Sequence, residues 1–284
     1  MIPISERKRI VVKVGTSTLT HRTGRLNIRR VEQLVKTLAD LQNAGHEVIL
    51  VSSGAIGLGM GKLGLMDRPK DTPGKQACAA VGQCELMYLY DNLFSEYSIT
   101  VAQLLLTKYI LLEDRRKNVE NALERLISQG VIPVVNENDT VSTYEMQFGD
   151  NDTLSAIVTS ITKADLLILL SDIDGLYSDD PHDNPDAKLI REVDILDRKI
   201  LGMAKSSTGS DVGTGGMATK LTAAKIATYS GADMIIANGG NMGILYDIMN
   251  DRYTGTLFHR AKDAEFVLAD YIQREMAPTS TGGQ

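Results

Sequence analysis

The chain is expected to fold as an α/β domain, an open and mainly parallel sheet covered by helices, and three observations carry that expectation. Short aliphatic runs such as Arg9 to Val14 (RIVVKV), His46 to Val51 and Leu166 to Leu170 alternate with longer stretches whose apolar residues recur at helical spacing. The first two runs and the helix between them form a β-α-β unit, which implies parallel strands under covering helices. Polar or glycine-containing clusters then follow the C-terminal ends of successive runs: KVGTST, SSGA, NEND, SDIDG and NGGN. Ligands of open parallel sheets bind along that edge, and five clusters on one edge suggest a site spanning it.

Taken in order, Arg9 to Val14 reads as a buried strand interrupted by Lys13. Asn27 is suited to cap a helix carrying Ile28, Val31, Leu34, Val35, Leu38 and Leu41 on one face, and Gly45 ends it. Gly59 to Gly64 (GMGKLG) matches G-x-G-x-x-G, but the dinucleotide fingerprint opens directly from the first strand and this one does not. A flexible loop from Lys62 to Pro73 is expected instead, followed by a long helix from Gly74 to Tyr97 capped by Asp71 or Thr72. Thr100 to Leu106 reads as a strand, Asn118 to Gln129 as a helix closed by Gly130, and Val131 to Val135 as a strand. Polar residues follow, then a helix beginning at the Asp150-Asn151-Asp152 cluster. Beyond Leu166 to Leu170 comes a long loop with Pro181 and Pro185, then a glycine-rich loop and the helix LTAAKIATYS. Strands are expected at Met234 to Ala237 and Thr256 to His259, and a disordered tail from about Ala277.

Composition narrows the function classes. The net charge of −6 leaves no basic surplus to displace the counterions of a nucleic acid, and the absence of Trp removes the best stacking platform. No apolar run approaches membrane-spanning length, and the N-terminus carries no signal-peptide core. Cys78 and Cys84 lie six apart on one expected helix and read as buried free thiols. His21, His46, His182 and His259 are scattered without ligand spacing. A cytoplasmic protein without a structural metal is expected.

Chemistry concentrates around Gly213 to Lys220, GTGGMATK. Three glycines in four residues let backbone N–H groups close on an anion, and a helix N-terminus and Lys220 add positive potential. Taken alone, the loop reads equally well as a phosphate cradle or as a mobile helix cap. Lys13 beside Gly15 offers a second cation, and two cations suit the spread charge of phosphoryl transfer. No G-x-x-x-x-G-K-[ST] is present, so the loop is not of the Walker type. Asp150 and Asp152 exceed what one helix cap needs. The spare carboxylate could hold the lysines, meet a magnesium shell or pair with a substrate cation. Asn136 and Asp139 read as turn residues by default.

In order, KVGTST, VSSGAIGLG, NENDTV, FGDND, SDIDGLYSDDP and GTGGMATK resemble the glutamate 5-kinases of the amino acid kinase family, over about Arg9 to His259. The resemblance implies a three-layer α/β/α sandwich and ATP-dependent phosphorylation of the γ-carboxylate of L-glutamate, the first step of proline synthesis. It implies catalytic roles for Lys13, Lys220 and Asp152, and glutamate binding by Ser53, Asn136, Asp139, Asp150 and Asn151. It assigns ATP to Lys13, Ser171, Asp172 and the run Thr214, Gly215, Gly216, Met217, Ala218, Thr219 and Lys220. Magnesium would ride on the ATP phosphates without protein ligands of its own. Proline as feedback inhibitor, a glutamyl phosphate reductase as recipient and a homo-oligomer are further implied. The loop around Lys62 to Pro73 would belong to the substrate mouth. Many members carry an added PUA domain, whereas this chain ends about twenty-five residues after GTLFH. A single domain over residues 1–276 with a tail at 277–284 and no PUA domain is therefore expected.

Overall fold

Buried aliphatic runs form the strands of one sheet, in a computed structural model that describes residues 3–21, 25–142, 150–181, 183–203 and 216–275. The strands are β1 (Arg9–Val14), β2 (Glu47–Ser52), β3 (Val101–Leu106), β4 (Ile132–Glu137), β5 (Leu166–Ser171), β6 (Glu192–Val193), β7 (Asp233–Asn238) and β8 (Gly255–Phe258). They lie in the order β3-β4-β2-β1-β5-β7-β8-β6, parallel throughout except where β7 meets β8. β1 is central, with β2 on one side and β5 on the other. The chain works outward through β2 and then crosses to β5, so the strand order reverses beside β1. A switch point of this kind opens a crevice at the C-terminal ends of the strands.

The helices are α1 (Thr16–Leu19), α2 (Ile28–Asn43), α3 (Ala55–Leu63), α4 (Thr72–Ser95), α5 (Glu113–Ser128), α6 (Asn151–Ile161), α7 (Arg198–Met203), α8 (Met217–Ser230), α9 (Ile244–Met249) and α10 (Leu268–Glu275). Strand alternation divides the core into two layers. Val11, Ile49, Val51, Val135, Leu167 and Leu169 face one layer, filled by α5, α6, α8 and α10. Ile10, Val12, Leu50, Val134, Ile168 and Leu170 face the other, filled by α2, α4 and α9. This is the expected three-layer sandwich. Asn27 caps α2 by accepting from the Arg30 amide at 3.2 Å, and Gly45 turns the chain at φ +99°.

Several boundaries differ from the sequence reading. The glycine-rich segment taken to run into a loop is helix α3 through Leu63, and the connection to α4 shrinks to residues 64–71. Glycines lower helix propensity, but here they permit backbone-to-backbone packing. A Cβ on Gly59 would lie 1.8 Å from the carbonyl oxygen of Cys78, and one on Gly82 1.7 Å from that of Ala55. Helix α5 begins at Glu113 rather than Asn118, with Glu113 and Asp114 favourably placed at the positive end of its dipole. Strand β4 continues through Asn136 and Glu137 by pairing with Leu105 and Leu106, so Asn136 is a strand residue and not part of a turn. Cys78 is buried as expected, but Cys84 is exposed, because α4 shows its opposite face to solvent. No helix among the described residues is long and apolar enough to cross a membrane.

Candidate active site

Lys13 has the same strand parity as Val11, which sends its side chain to the face covered by α6 and α8. There it meets Asp152, whose Oδ1 lies 2.6 Å from Lys13 Nζ. The other oxygen, Oδ2, lies 3.2 Å from Lys220 Nζ and accepts the Thr219 hydroxyl at 3.0 Å. Asp152 is 1% exposed and Lys220 5%. One buried carboxylate thus holds two ammonium groups that are 207 residues apart in sequence (220 − 13). Burial alone would raise the Asp152 pKa, but attraction to Lys13 and Lys220 outweighs it and brings the carboxyl down to about 2. A carboxylate so held is a fixed anion that sets the positions of both ammonium groups.

The three residues at the head of α6 divide the work. Asp150 caps the helix, accepting from the Thr153 amide at 2.7 Å and the Thr153 hydroxyl at 3.0 Å. Capping by Asp150 leaves Asp152 free for the lysines. Burial raises the Asp150 pKa, and the nearby Asp152 charge raises it further. Asn151 donates from Nδ2 to Ser53 Oγ at 2.7 Å and to Asn136 Oδ1 at 2.9 Å. Ser53 leaves the end of β2 just before Gly54, whose φ of +108° turns the chain into α3. Asp139 stands on the turn after β4, half-buried, its pKa raised by burial and pulled back by the Arg68 charge.

Gln83 of α4 extends this network, its Oε1 accepting from Asn136 Nδ2 at 3.0 Å. The sequence reading did not include it. The signal was present, since Gln83 falls on the same helical stripe as Leu86 and Tyr90 and is the polar member of an otherwise apolar face.

On the β5 side of β1, Ser171 ends its strand and donates to Asp172 Oδ1 at 3.1 Å, with Asp172 exposed. Gly216 is the N-cap residue of α8, so Met217, Ala218, Thr219 and Lys220 form its first turn. Their amides point toward the strand ends. Thr214 and Gly215, also assigned to ATP, lie outside the described residues. Asp174 and Asn238, again unassigned in advance, bridge β5 and β7 through an Asn238 Nδ2 to Asp174 Oδ1 bond of 2.8 Å. Among the described residues no group of three or more His, Cys, Asp or Glu is arranged to hold a metal ion. Two lysines, a helix N-terminus and backbone amides are instead a donor set for phosphate oxygens.

The structure therefore brings together Lys13, Asp152, Lys220 and Thr219 at one point, and Ser53, Asn136, Asn151 and Gln83 beside it, linked through the first turn of α6. Comparison with known proteins agrees with this architecture. The profile of the amino acid kinase family matches residues 8–238. A protein of Clostridium perfringens named glutamate 5-kinase is 53% identical over 260 residues, 90% of this chain and 96% of that one. One of Listeria welshimeri with the same name is 49% identical over 266 residues, 92% and 96% of the respective chains. Carbamate kinase from Giardia lamblia bound to AMP-PNP superposes with a TM-score of 0.63 at 18% identity, covering 91% of this chain and 100% of that one. UMP kinase from Ureaplasma parvum gives 0.60 at 15% identity, covering 89% and 99%. The structural matches show the fold, and the sequence matches narrow it further: the chain belongs to the amino acid kinase family and, within it, to the glutamate 5-kinases.

Proposed function

We propose that the chain phosphorylates the γ-carboxylate of L-glutamate from ATP, forming L-glutamyl 5-phosphate and ADP, the reaction that opens proline synthesis. The observation that carries the mechanism is the buried Asp152 gripping Lys13 and Lys220 at the strand ends. Phosphoryl transfer asks little of a protein beyond positioning and charge stabilisation. One γ-carboxylate oxygen bonds to the γ-phosphorus while the bond to the β,γ-bridging oxygen breaks, and that oxygen leaves on ADP. A carboxylate with a pKa of about 4.3 is already ionised at neutral pH, so no general base is required.

In this reading Lys13 and Lys220 stabilise the transferring phosphoryl group, and Asp152 sets their positions. Ser171, Asp172 and the 214–220 segment hold the nucleotide, with anionic oxygens on the first-turn amides of α8. Magnesium, carried on the ATP phosphates, supplies further charge neutralisation when bound. Ser53, Asn136 and Asn151 receive the acceptor, and the carboxylates of Asp139 and Asp150 meet its ammonium group. Proline competes at the acceptor mouth beside the 64–71 connection, and the labile acyl phosphate passes to a glutamyl phosphate reductase.

The test is ATP- and magnesium-dependent hydroxamate formation in hydroxylamine, with L-glutamate, N-acetylglutamate and aspartate as parallel acceptors. Hydroxylamine traps an acyl phosphate and ignores a phosphate ester. A signal with glutamate alone is expected. A signal confined to N-acetylglutamate or aspartate would replace the acceptor, and silence with all three in protein that binds ATP would overturn carboxylate phosphorylation.

A further inference from the structure

We infer that Gln83 is a positioning residue that fixes the direction of the amide chain running from α4 to Ser53, and thereby makes Ser53 a hydrogen-bond donor to the acceptor carboxylate. The inference deepens the proposed reaction and rests on it. The chain has four members and one consistent polarity. Gln83 Oε1 accepts from Asn136 Nδ2 at 3.0 Å, which turns Asn136 Oδ1 toward Asn151. Asn151 Nδ2 then spends its two hydrogens on Asn136 Oδ1 and on Ser53 Oγ, at 2.9 and 2.7 Å. Because Ser53 Oγ accepts there, its own hydrogen is left to donate, and an anionic oxygen is the partner a hydroxyl donor favours most.

The reverse polarity is equally possible for the same atoms in isolation. Rotating the three amides by half a turn would have Gln83 donate, and would end with Ser53 spending its hydrogen on Asn151. The site would then offer lone pairs to a carboxylate. An acceptor carboxylate pairs only with the polarity in which Ser53 keeps its hydrogen, and Gln83, at the other terminus, completes that polarity by accepting from Asn136. It is 8% exposed, and among the described residues its buried Nε2 has no hydrogen-bond partner, so only Oε1 is engaged. Its placement is rigid. Gly82, the preceding residue, presses on the Ala55 carbonyl at a separation that admits no side chain, which locks α4 against the first turn of α3. That turn starts two residues after Ser53. Both ends of the amide chain are therefore fixed by one helix crossing.

The experiment compares Gln83→Met and Gln83→Glu with the unaltered enzyme, measuring KM for glutamate, KM for ATP and kcat by hydroxamate formation. Methionine keeps the volume and removes the acceptor. It should raise the glutamate KM about ten- to hundredfold while the ATP KM stays within about twofold. Gln83→Glu keeps an acceptor at Oε1 and, where ionised, adds a negative charge near the acceptor carboxylate. Relative to Gln83→Met, its glutamate KM should fall toward that of the unaltered enzyme at the same pH as acidification neutralises the added charge. An unchanged glutamate KM in Gln83→Met would overturn the inference, as would a parallel rise in both KM values. If Gln83→Met does not fold, Gln83→Leu takes its place, with the same rise in the glutamate KM expected and the same outcomes overturning the inference. Failure of the proposed function is a separate outcome, recognised by the unaltered enzyme giving no hydroxamate with glutamate.

Discussion

Asp152 concentrates the energetics of the site. Its carboxylate sits between two lysines in a place nearly free of water, where an unpaired charge of either sign is costly. Lys13→Ala and Lys220→Ala are each expected to lower kcat about a hundred- to thousandfold in the hydroxamate assay, and to keep the fold because the other lysine still pairs with Asp152. A near-normal kcat in either variant would remove that lysine from the mechanism. The Asp152 pKa lies below the ordinary value of about 3.9, so the stability it contributes is present above that value and is lost as pH falls through about 2. Asp139 and Asp150 behave oppositely, since burial raises both. In the proposed reaction their deprotonated forms meet the substrate ammonium, so kcat/KM for glutamate should fall on acidification at a pH above the ordinary carboxylate value. Asp139→Asn should raise the glutamate KM and flatten its share of that acid limb, and an unchanged pH profile would sink the assignment. Much of this was legible in the sequence. Lys13 stood out because it interrupts an apolar strand, and GDND because it holds one carboxylate more than a cap needs. Gln83 was not legible, because its partner Asn136 lies 53 residues away and a single Gln on a helix names no contact.

At the scale of elements, the crossing of α3 and α4 sets the acceptor side. Gly82→Ala would drive a methyl group into the Ala55 carbonyl at 1.7 Å, and the helices would have to separate. A loss of about 1–3 kcal/mol is expected from urea unfolding, together with a raised glutamate KM, since Gln83 and Ser53 would shift apart. Gly61→Ala, in α3, meets nothing within 4 Å and should be neutral or stabilising by about 0.4–1 kcal/mol. Equal gains in the two variants would mean that helix propensity, and not the close approach, governs this region. The sequence reading took the end of this glycine segment for a loop. Glycine spacing of this kind has two readings, chain freedom and close packing, and only the partner helix distinguishes them. Strands were easier to locate, because β1, β2, β5 and β7 are buried on both faces and so read as unbroken aliphatic runs.

For the whole molecule, the decisive feature is the reversal of strand order beside β1. It brings Lys13 from the start of the chain, Asp152 from its middle and Lys220 from its last third to one edge of the sheet. The parallel sheet and its edge clusters were foreseeable from the β-α-β pattern, whereas the antiparallel return of β8 and its short partner β6 were not. Two-residue strands carry no periodicity to read. The central claim is that a carboxylate oxygen of glutamate attacks phosphorus in the crevice this topology opens. The most direct measurement is oxygen transfer, with glutamate carrying 18O in both γ-carboxylate positions turned over in hydroxylamine and the released phosphate read by 31P NMR. Attack by the carboxylate leaves one labelled oxygen on each phosphate formed with hydroxamate. Unlabelled phosphate, matched to ADP, would mean that water is the acceptor and would contradict the account.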